Sequence, residues 1–232
     1  MTRRVLVTGA NRGFGAALTA AFARQGAQVF AAARKGHTTL DAILERYPSL
    51  VTGIELDVTD LASVEAARDA VAERAPALDV LVNNAAMRSP TVSEPIESID
   101  FADVARTFDV NAIGPLRVAQ AFLPMLRAGD SPVFVNVSSE AGSIGQCWRD
   151  REFDYCMSKA ALNMATAIFA NLLRGKVHVF SMHPGWMRTD MGGPRASLDP
   201  EEVAEGVATK LLAVPVPIAA PFVDHEGHPL PW

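Results

Sequence analysis

The sequence predicts an α/β protein built on a single doubly wound parallel sheet of about seven strands, with helices on both faces. Three observations predict it. Short apolar runs alternate six times with amphipathic stretches. Each run is apolar at consecutive positions, as strands buried between two helical layers must be. A glycine-rich turn follows the first run and opens into a helical pattern.

In chain order the runs are Val5–Val7, Val29–Ala32, Ile54–Leu56, Val80–Val82, Val133–Val137 and Val177–Phe180. Helical periods fall between them, near 13–25, 38–46, 60–74, 98–127, 153–174 and 199–212. Asp60 and Ser98 are candidate N-caps. Asp199-Pro200-Glu201-Glu202 combines a cap, a proline at the first helical position and acids in the first turn. The 98–127 pattern holds a conflict, because Pro115 sits inside it and has no N–H for the carbonyl of Asn111, four residues back. The sequence therefore predicts a kink with one free carbonyl at Asn111. A helix merely interrupted at Gly114-Pro115 is the plainer alternative.

Composition fits one globular domain spanning 1–232. Of 232 residues, 49% are hydrophobic and 20% charged, which excludes disorder, and 16 Gly and 15 Pro without a period exclude low-complexity classes. No apolar run approaches the roughly 20 residues of a membrane helix. The opening apolar stretch dies at Thr8-Gly9, too early for a signal peptide. A net charge of −5 argues against nucleic acid or an acidic membrane as partner. Cys147 and Cys156 lack metal-ligand spacing and read as free thiols in a reducing, cytoplasmic setting. No metal is expected, and His225-Glu226-Gly227-His228 reads as a surface turn.

The turn after the first run is Thr8-Gly9-Ala10-Asn11-Arg12-Gly13-Phe14-Gly15. Its glycines permit a tight turn and close backbone approach, and a helix start offers free N–H groups to an anion such as a pyrophosphate. The placement in a first βα unit suits a Rossmann-type nucleotide loop. Where an NAD site offers an acid at the end of the second strand, this chain reads Ala33-Arg34-Lys35. Arg34 with Arg12 would clamp a 2′-phosphate, so the expected cofactor is NADP(H) rather than NAD(H).

Tyr155 and Lys159 stand at i and i+4, on one helix face. A phenol, with a reference pKa near 10, needs a neighbouring cation to act as acid and base at neutral pH. The fourth and fifth strands end in Asn83-Asn84-Ala85-Ala86 and Asn136-Val137-Ser138-Ser139, delivering polar groups to the rim where such sheets bind ligands.

Together these segments resemble the short-chain dehydrogenase/reductase family, matching in order from residue 4 to about 190 through Thr8-Gly9…Gly13-Phe14-Gly15, Asp57-Val58, Asn83–Ala86, Asn111, Ser138-Ser139, Tyr155…Lys159 and Pro184-Gly185…Thr189. The tail, His183–Met191 and Phe222–Gly227, is similar to the sniffer-type carbonyl reductases. The resemblance implies that Tyr155 protonates a carbonyl oxygen, that Lys159 holds the cofactor ribose and lowers the tyrosine pKa, that Ser139 binds the substrate oxygen, and that Asn111 anchors a water leading to Lys159. It also implies a cofactor site of Gly9, Asn11, Arg12, Gly13, Phe14, Gly15, Arg34, Asp57, Val58, Asn83, Ala85, Tyr155, Lys159, Pro184, Gly185, Met187 and Thr189. In that site Asp57 meets the adenine, and Met187 and Thr189 meet the carboxamide end.

Two departures stand out. Ala86 replaces the family's usual glycine, and Ser139 lies sixteen residues before Tyr155, about three more than is common in the family. Counting back from Gly142 and Gly145 selects Ser139, with Ser138 the alternative. Trp148 and Trp186 are expected to flank the substrate cleft, where large aromatics either wall an apolar pocket or simply pack. Selectivity is expected from the segments 140–153 and 185–198 around an open, shallow pocket. Ala160, Ala161, Ala165 and Ala167 permit close helix approach, so the resemblance implies a homodimer or homotetramer, although core packing explains the same residues. The function so implied is interconversion of a small-molecule carbonyl and its alcohol by hydride transfer. The alternative is a catalytically silent NADP(H)-binding sensor or regulatory protein.

Overall fold

The computed structural model describes residues 2–34 and 38–232. Lys35 therefore lies outside the described residues. Seven strands form one parallel sheet: β1 (Arg4–Thr8), β2 (Gln28–Ala33), β3 (Val51–Glu55), β4 (Val80–Asn83), β5 (Val133–Val137), β6 (His178–His183) and β7 (Phe222–Asp224). Their order is β3-β2-β1-β4-β5-β6-β7, so the winding reverses between β1 and β4. That reversal opens a crevice beyond the strand ends, where sheets of this type bind ligands.

Consecutive apolar residues serve two faces because side chains alternate across a strand. Val5, Val7, Val29, Ala31, Val80, Val82, Val133 and Val135 enter one buried cluster with Phe14, Leu18 and Phe22 of α1 (Gly13–Arg24) and Val203, Val207 and Leu211 of α7 (Pro200–Leu212). Leu6, Phe30, Ala32, Leu81 and Phe134 enter the opposite cluster with Val64 and Val71 of α3 (Leu61–Ala72) and Val118, Phe122 and Leu126 of α5 (Gly114–Arg127). The remaining helices are α2 (Thr38–Arg46), α4 (Phe101–Phe108) and α6 (Phe153–Leu172).

Local outcomes follow from local chemistry. Asp60 accepts from the Ala62 N–H and Asp199 from those of Glu201 and Glu202, as their cap positions predict. Ser98 is not a helix cap. It ends a short 3₁₀ turn, and Asp100 caps α4 instead by accepting from Ala102. β3 begins three residues before the expected run because it lies at the sheet edge, where Thr52 and Gly53 dilute the apolar pattern. β7 has three residues, too few to announce itself as a run. At Pro115 the chain is not interrupted: a π-turn over Asp109–Ile113 lets the Gly114 N–H reach the Asp109 carbonyl, five residues back, and joins α4 to α5. Asp224 Oδ1 accepts from the N–H groups of Glu226, Gly227 and His228, making 225–228 a surface turn. No helix among the described residues is long and apolar enough to cross a membrane.

Candidate active site

A cleft of about 760 Å³ runs along the C-terminal ends of β1, β2, β4 and β5. Its nucleotide-like end is lined by Gly9, Asn11, Arg12, Gly13, Phe14, Gly15, Arg34, Asp57, Val58 and Thr59. Its opposite end is lined by Ala85, Met87, Arg88, Pro90, Ser138, Tyr155, Lys159, Met187, Thr189 and Met191.

The glycine turn is shaped by contacts no side chain could share. A Cβ on Gly15 would stand 2.2 Å from the Gly9 carbonyl oxygen, and one on Gly9, at φ +65°, would stand 2.8 Å from the Ala85 Cα. The turn is thus pressed against the loop after β4. Thr8 Oγ1 holds that loop by accepting from the N–H groups of Asn84 and Ala85 at 3.0 and 3.1 Å. Arg12 precedes α1 without a capping side-chain bond, and the first turn carries no acid. The N–H groups at the start of α1 therefore face the cleft without a side-chain rival, which suits a pyrophosphate. Arg12 and Arg34 line the same end, and Arg12 reaches Asp190 at 3.0 Å across the cleft. Burial opposes the Asp57 carboxylate, yet bonds from the Thr59 N–H and hydroxyl and the charges of Arg34 and Arg117 hold its pKa below the usual range. A dinucleotide with a 2′-phosphate fits this donor set.

At the other end, α6 brings Tyr155 and Lys159 together one turn apart. Lys159 is buried, its Nζ donates to the Val137 carbonyl at 2.9 Å, and burial pulls its pKa to about 8. Tyr155 is half-buried. Burial holds the phenol above its ordinary pKa, while a hydrogen bond with the Ser139 side chain and the Arg88 charge act downward. Ser139 Oγ also accepts from the Ala141 N–H at 3.1 Å. Ser138 Oγ is buried, faces the same cleft and has no partner among the described residues. Asn111, fully buried in the π-turn, accepts from the Met87 N–H at 2.8 Å and donates to the Met87 carbonyl and Ser158 Oγ. It thereby ties the loop after β4 to α6.

Of the residues singled out from sequence, Asn83, Asn111, Ser139 and Gly185 do not line the cleft, and Ser139 meets it only through its bond to the Tyr155 phenol. Asn83 Nδ2 donates to Asn136 Oδ1 at 2.9 Å, and Gly185 turns the chain hard against Leu198. Neither tryptophan lines the cleft: Trp186 donates to the Gly192 carbonyl, and Trp148 lies under the Arg149 guanidinium. No residue of 140–153 lines it either. Arg149 draws that segment onto itself through Glu140 and Glu152. Met87, Arg88 and Pro90 form the wall instead, and sequence reading missed them. The one available signal was their position directly after Asn83–Ala86.

The chain matches the short chain dehydrogenase family over residues 3–199. It is 40% identical over 157 residues to the protein named C-signal of Myxococcus xanthus, a match covering 67% of this chain and 93% of that one. Its fold superposes on the NADPH-bound carbonyl reductase of chicken fatty liver with a TM-score of 0.86 at 32% identity, covering 100% of this chain and 94% of that one. Carbonyl reductase Sniffer of D. melanogaster gives a TM-score of 0.89 at 27% identity, with both chains covered in full. With its glycine turn, its Tyr155–Lys159 pair and a family match across most of its length, the chain belongs to the short-chain dehydrogenase/reductase family.

Proposed function

We propose that this protein is an NADP(H)-dependent oxidoreductase that interconverts a ketone or aldehyde and the corresponding alcohol. The observation that carries the reading is the meeting of Tyr155 and Lys159, with the Ser139 side chain bonded to the phenol, at one end of a cleft whose other end displays Arg12 and Arg34. The chicken fatty liver carbonyl reductase, similar over 94% of its chain, holds NADPH.

NADP(H), when bound, would supply or accept the hydride. Gly13–Gly15 N–H groups would hold its pyrophosphate, Arg12 and Arg34 its 2′-phosphate, and Asp57 and Val58 its adenine end. Arg12 would turn from Asp190 toward the phosphate. Pro184, Met187 and Thr189 would frame the far end. Tyr155 gives its phenolic proton to the carbonyl oxygen in reduction and takes it back in oxidation. Ser139 holds that oxygen where negative charge develops. Lys159, charged below pH about 8, favours the phenolate by proximity. Asn111 keeps the loop after β4 seated on α6, so the cleft wall and the tyrosine stay in register. The outer face of α6 presents Met157, Met164, Ile168 and Leu172 to solvent, which supports pairing with a second copy. The free thiols Cys147 and Cys156 suit a reducing cytoplasm.

NADPH consumption across a panel of aldehydes, ketones and quinones tests the reading. Tyr155→Phe should lower turnover by about 10²–10⁴-fold with NADPH binding retained. Full activity in that variant would sink the mechanism, and clearly tighter binding of NADH would sink the cofactor assignment. Binding without turnover in the wild-type protein would place the chain among silent sensors.

A further inference from the structure

Two cations face the ring of Tyr155. Lys159 Nζ stands 5.8 Å from its centroid, and the Arg88 guanidinium carbon stands 5.2 Å from it. They arrive from different elements, the lysine one turn along α6 and the arginine from the loop after β4. They also differ in chemistry. The buried ammonium loses its proton near pH 8, whereas a guanidinium keeps its charge across the working range.

Arg88 is held where it stands. Glu152, the residue before α6, adopts a left-handed conformation at φ 63° and ion-pairs with Arg88 through one carboxylate oxygen. Its other oxygen takes Arg149 at 3.1 Å, and Arg149 reaches Glu140 at 2.8 Å. A non-glycine residue in that backbone region carries a conformational cost, and here the two arginines meet the carboxylate it presents. The remaining groups about the phenol are accounted for. Cys156, beside Tyr155, is a neutral thiol with its pKa pushed up to about 11, and the Ser139 side chain is uncharged. Arg106 and Asp109, from α4 and the π-turn, line the same cleft and are paired with Asp103 and Arg117.

We propose that Arg88 is a positioning residue for Tyr155: standing over the phenol ring with a permanent charge, it favours the phenolate, and Glu152 sets how strongly. The inference rests on Tyr155 being the acid and base, and it extends that reading to the range where Lys159 has lost its charge. The Arg88 charge acts on the phenol in the direction the proposal needs and the Glu152 charge in the opposite one, against burial, which is the larger effect.

The chain has two tyrosines, Tyr47 and Tyr155, so a Tyr47→Phe background leaves one phenol to follow by its phenolate absorbance. Titrated in that background, Arg88→Met should move the Tyr155 midpoint up by about one pH unit, as expected for loss of a charge within ~4–6 Å, and Arg88→Lys should restore most of it. Glu152→Gln should move the midpoint down. In alcohol oxidation Arg88→Met should lower the rate about tenfold at neutral pH and regain it at higher pH. Unmoved midpoints in both Arg88→Met and Glu152→Gln, or a rate loss equal at every pH, would overturn the proposal. If Arg88→Met does not fold, Glu152→Gln decides alone. Because the absorbance titration needs no turnover, a Tyr155→Phe variant that stays active would defeat the catalytic reading separately from this one.

Discussion

Helices α1 and α6 both pack on the sheet and both border the cleft, yet they are held by different forces. α1 buries Phe14, Leu18, Phe22 and several alanines, with Thr19 as its one buried hydroxyl, bonded back to its own helix at the Gly15 carbonyl. α6 buries Asp154, Ser158, Lys159, Asn163 and Thr166 around Leu162. Each of those five polar residues makes at least one bond to another element: Thr107 donates to Asp154, Asn111 to Ser158, Lys159 to Val137, Asn163 to Gly142, and both Asn136 and Ser181 to Thr166. Apolar burial is non-directional and tolerates small displacements, whereas hydrogen bonds lose strength with distance and angle. The helix whose uncapped start borders the cleft, proposed to hold a phosphate, is held by area. The helix that presents Tyr155 and Lys159, the pair proposed to carry the chemistry, is held by geometry.

The comparison breaks first in α1. Phe22 is fully buried, and Phe22→Ala should destabilise the protein by about 3–5 kcal/mol through the cavity it leaves. Denaturant titration should show that loss, while kcat/KM of the folded variant stays within a few-fold of wild type, because no reacting group is touched.

In α6 the expected sign reverses. Folding brings Lys159 from its ordinary pKa of 10.5 to about 8. Below pH 8 the native protein therefore buries a charge at a cost of about 3 kcal/mol. Between pH 8 and 10.5 the folded protein has already released a proton that the unfolded chain still holds, so wild-type stability from this group rises with pH. Lys159→Met should consequently be more stable than wild type at pH 7, by the same cost less ~1 kcal/mol for the lost bond to Val137. The gain should close as pH climbs toward 10, and activity should be lost throughout. Denaturation midpoints that show no gain at pH 7 would mean that the ammonium is already well compensated.

This division explains what the sequence disclosed. The inner strands were legible because burial on both faces leaves an unbroken apolar run, and Tyr155 with Lys159 was legible because a helix fixes which residues share a face. Arg88 was not: in Met87-Arg88-Ser89 nothing separates it from a solvated charge, and its place over Tyr155 depends on the loop after β4 meeting α6 in space. The cap of α4 was misread because Ser98 and Asp100 are both competent, and the 3₁₀ turn decides between them. The tryptophans misled for the converse reason. Size suggests a pocket wall, but Trp186 is committed to the Gly192 carbonyl and Trp148 to Arg149. Side chains whose role is set by their own helix or strand could be read, and those whose role is set by a distant partner could not.

The sharpest form of the contrast is one substitution made twice. Thr19 and Thr166 are both fully buried helix residues, and both hydroxyls donate to a carbonyl four residues back. Thr19→Val removes a bond to a carbonyl already inside the helical ladder and orphans no donor, so it should cost less than about 1 kcal/mol. Thr166→Val removes the acceptor of two buried donors, Asn136 Nδ2 and Ser181 Oγ, each at 2.8 Å. Stranding them should cost about 2 kcal/mol. Asn136 also accepts from Asn83 at the end of β4, so the loss should reach the cleft wall as a raised KM for the dinucleotide. Thermal denaturation of the two single variants measures the difference directly. Equal costs would mean that the polar lattice under α6 is interchangeable with apolar packing, and that the geometry of Tyr155 is secured elsewhere.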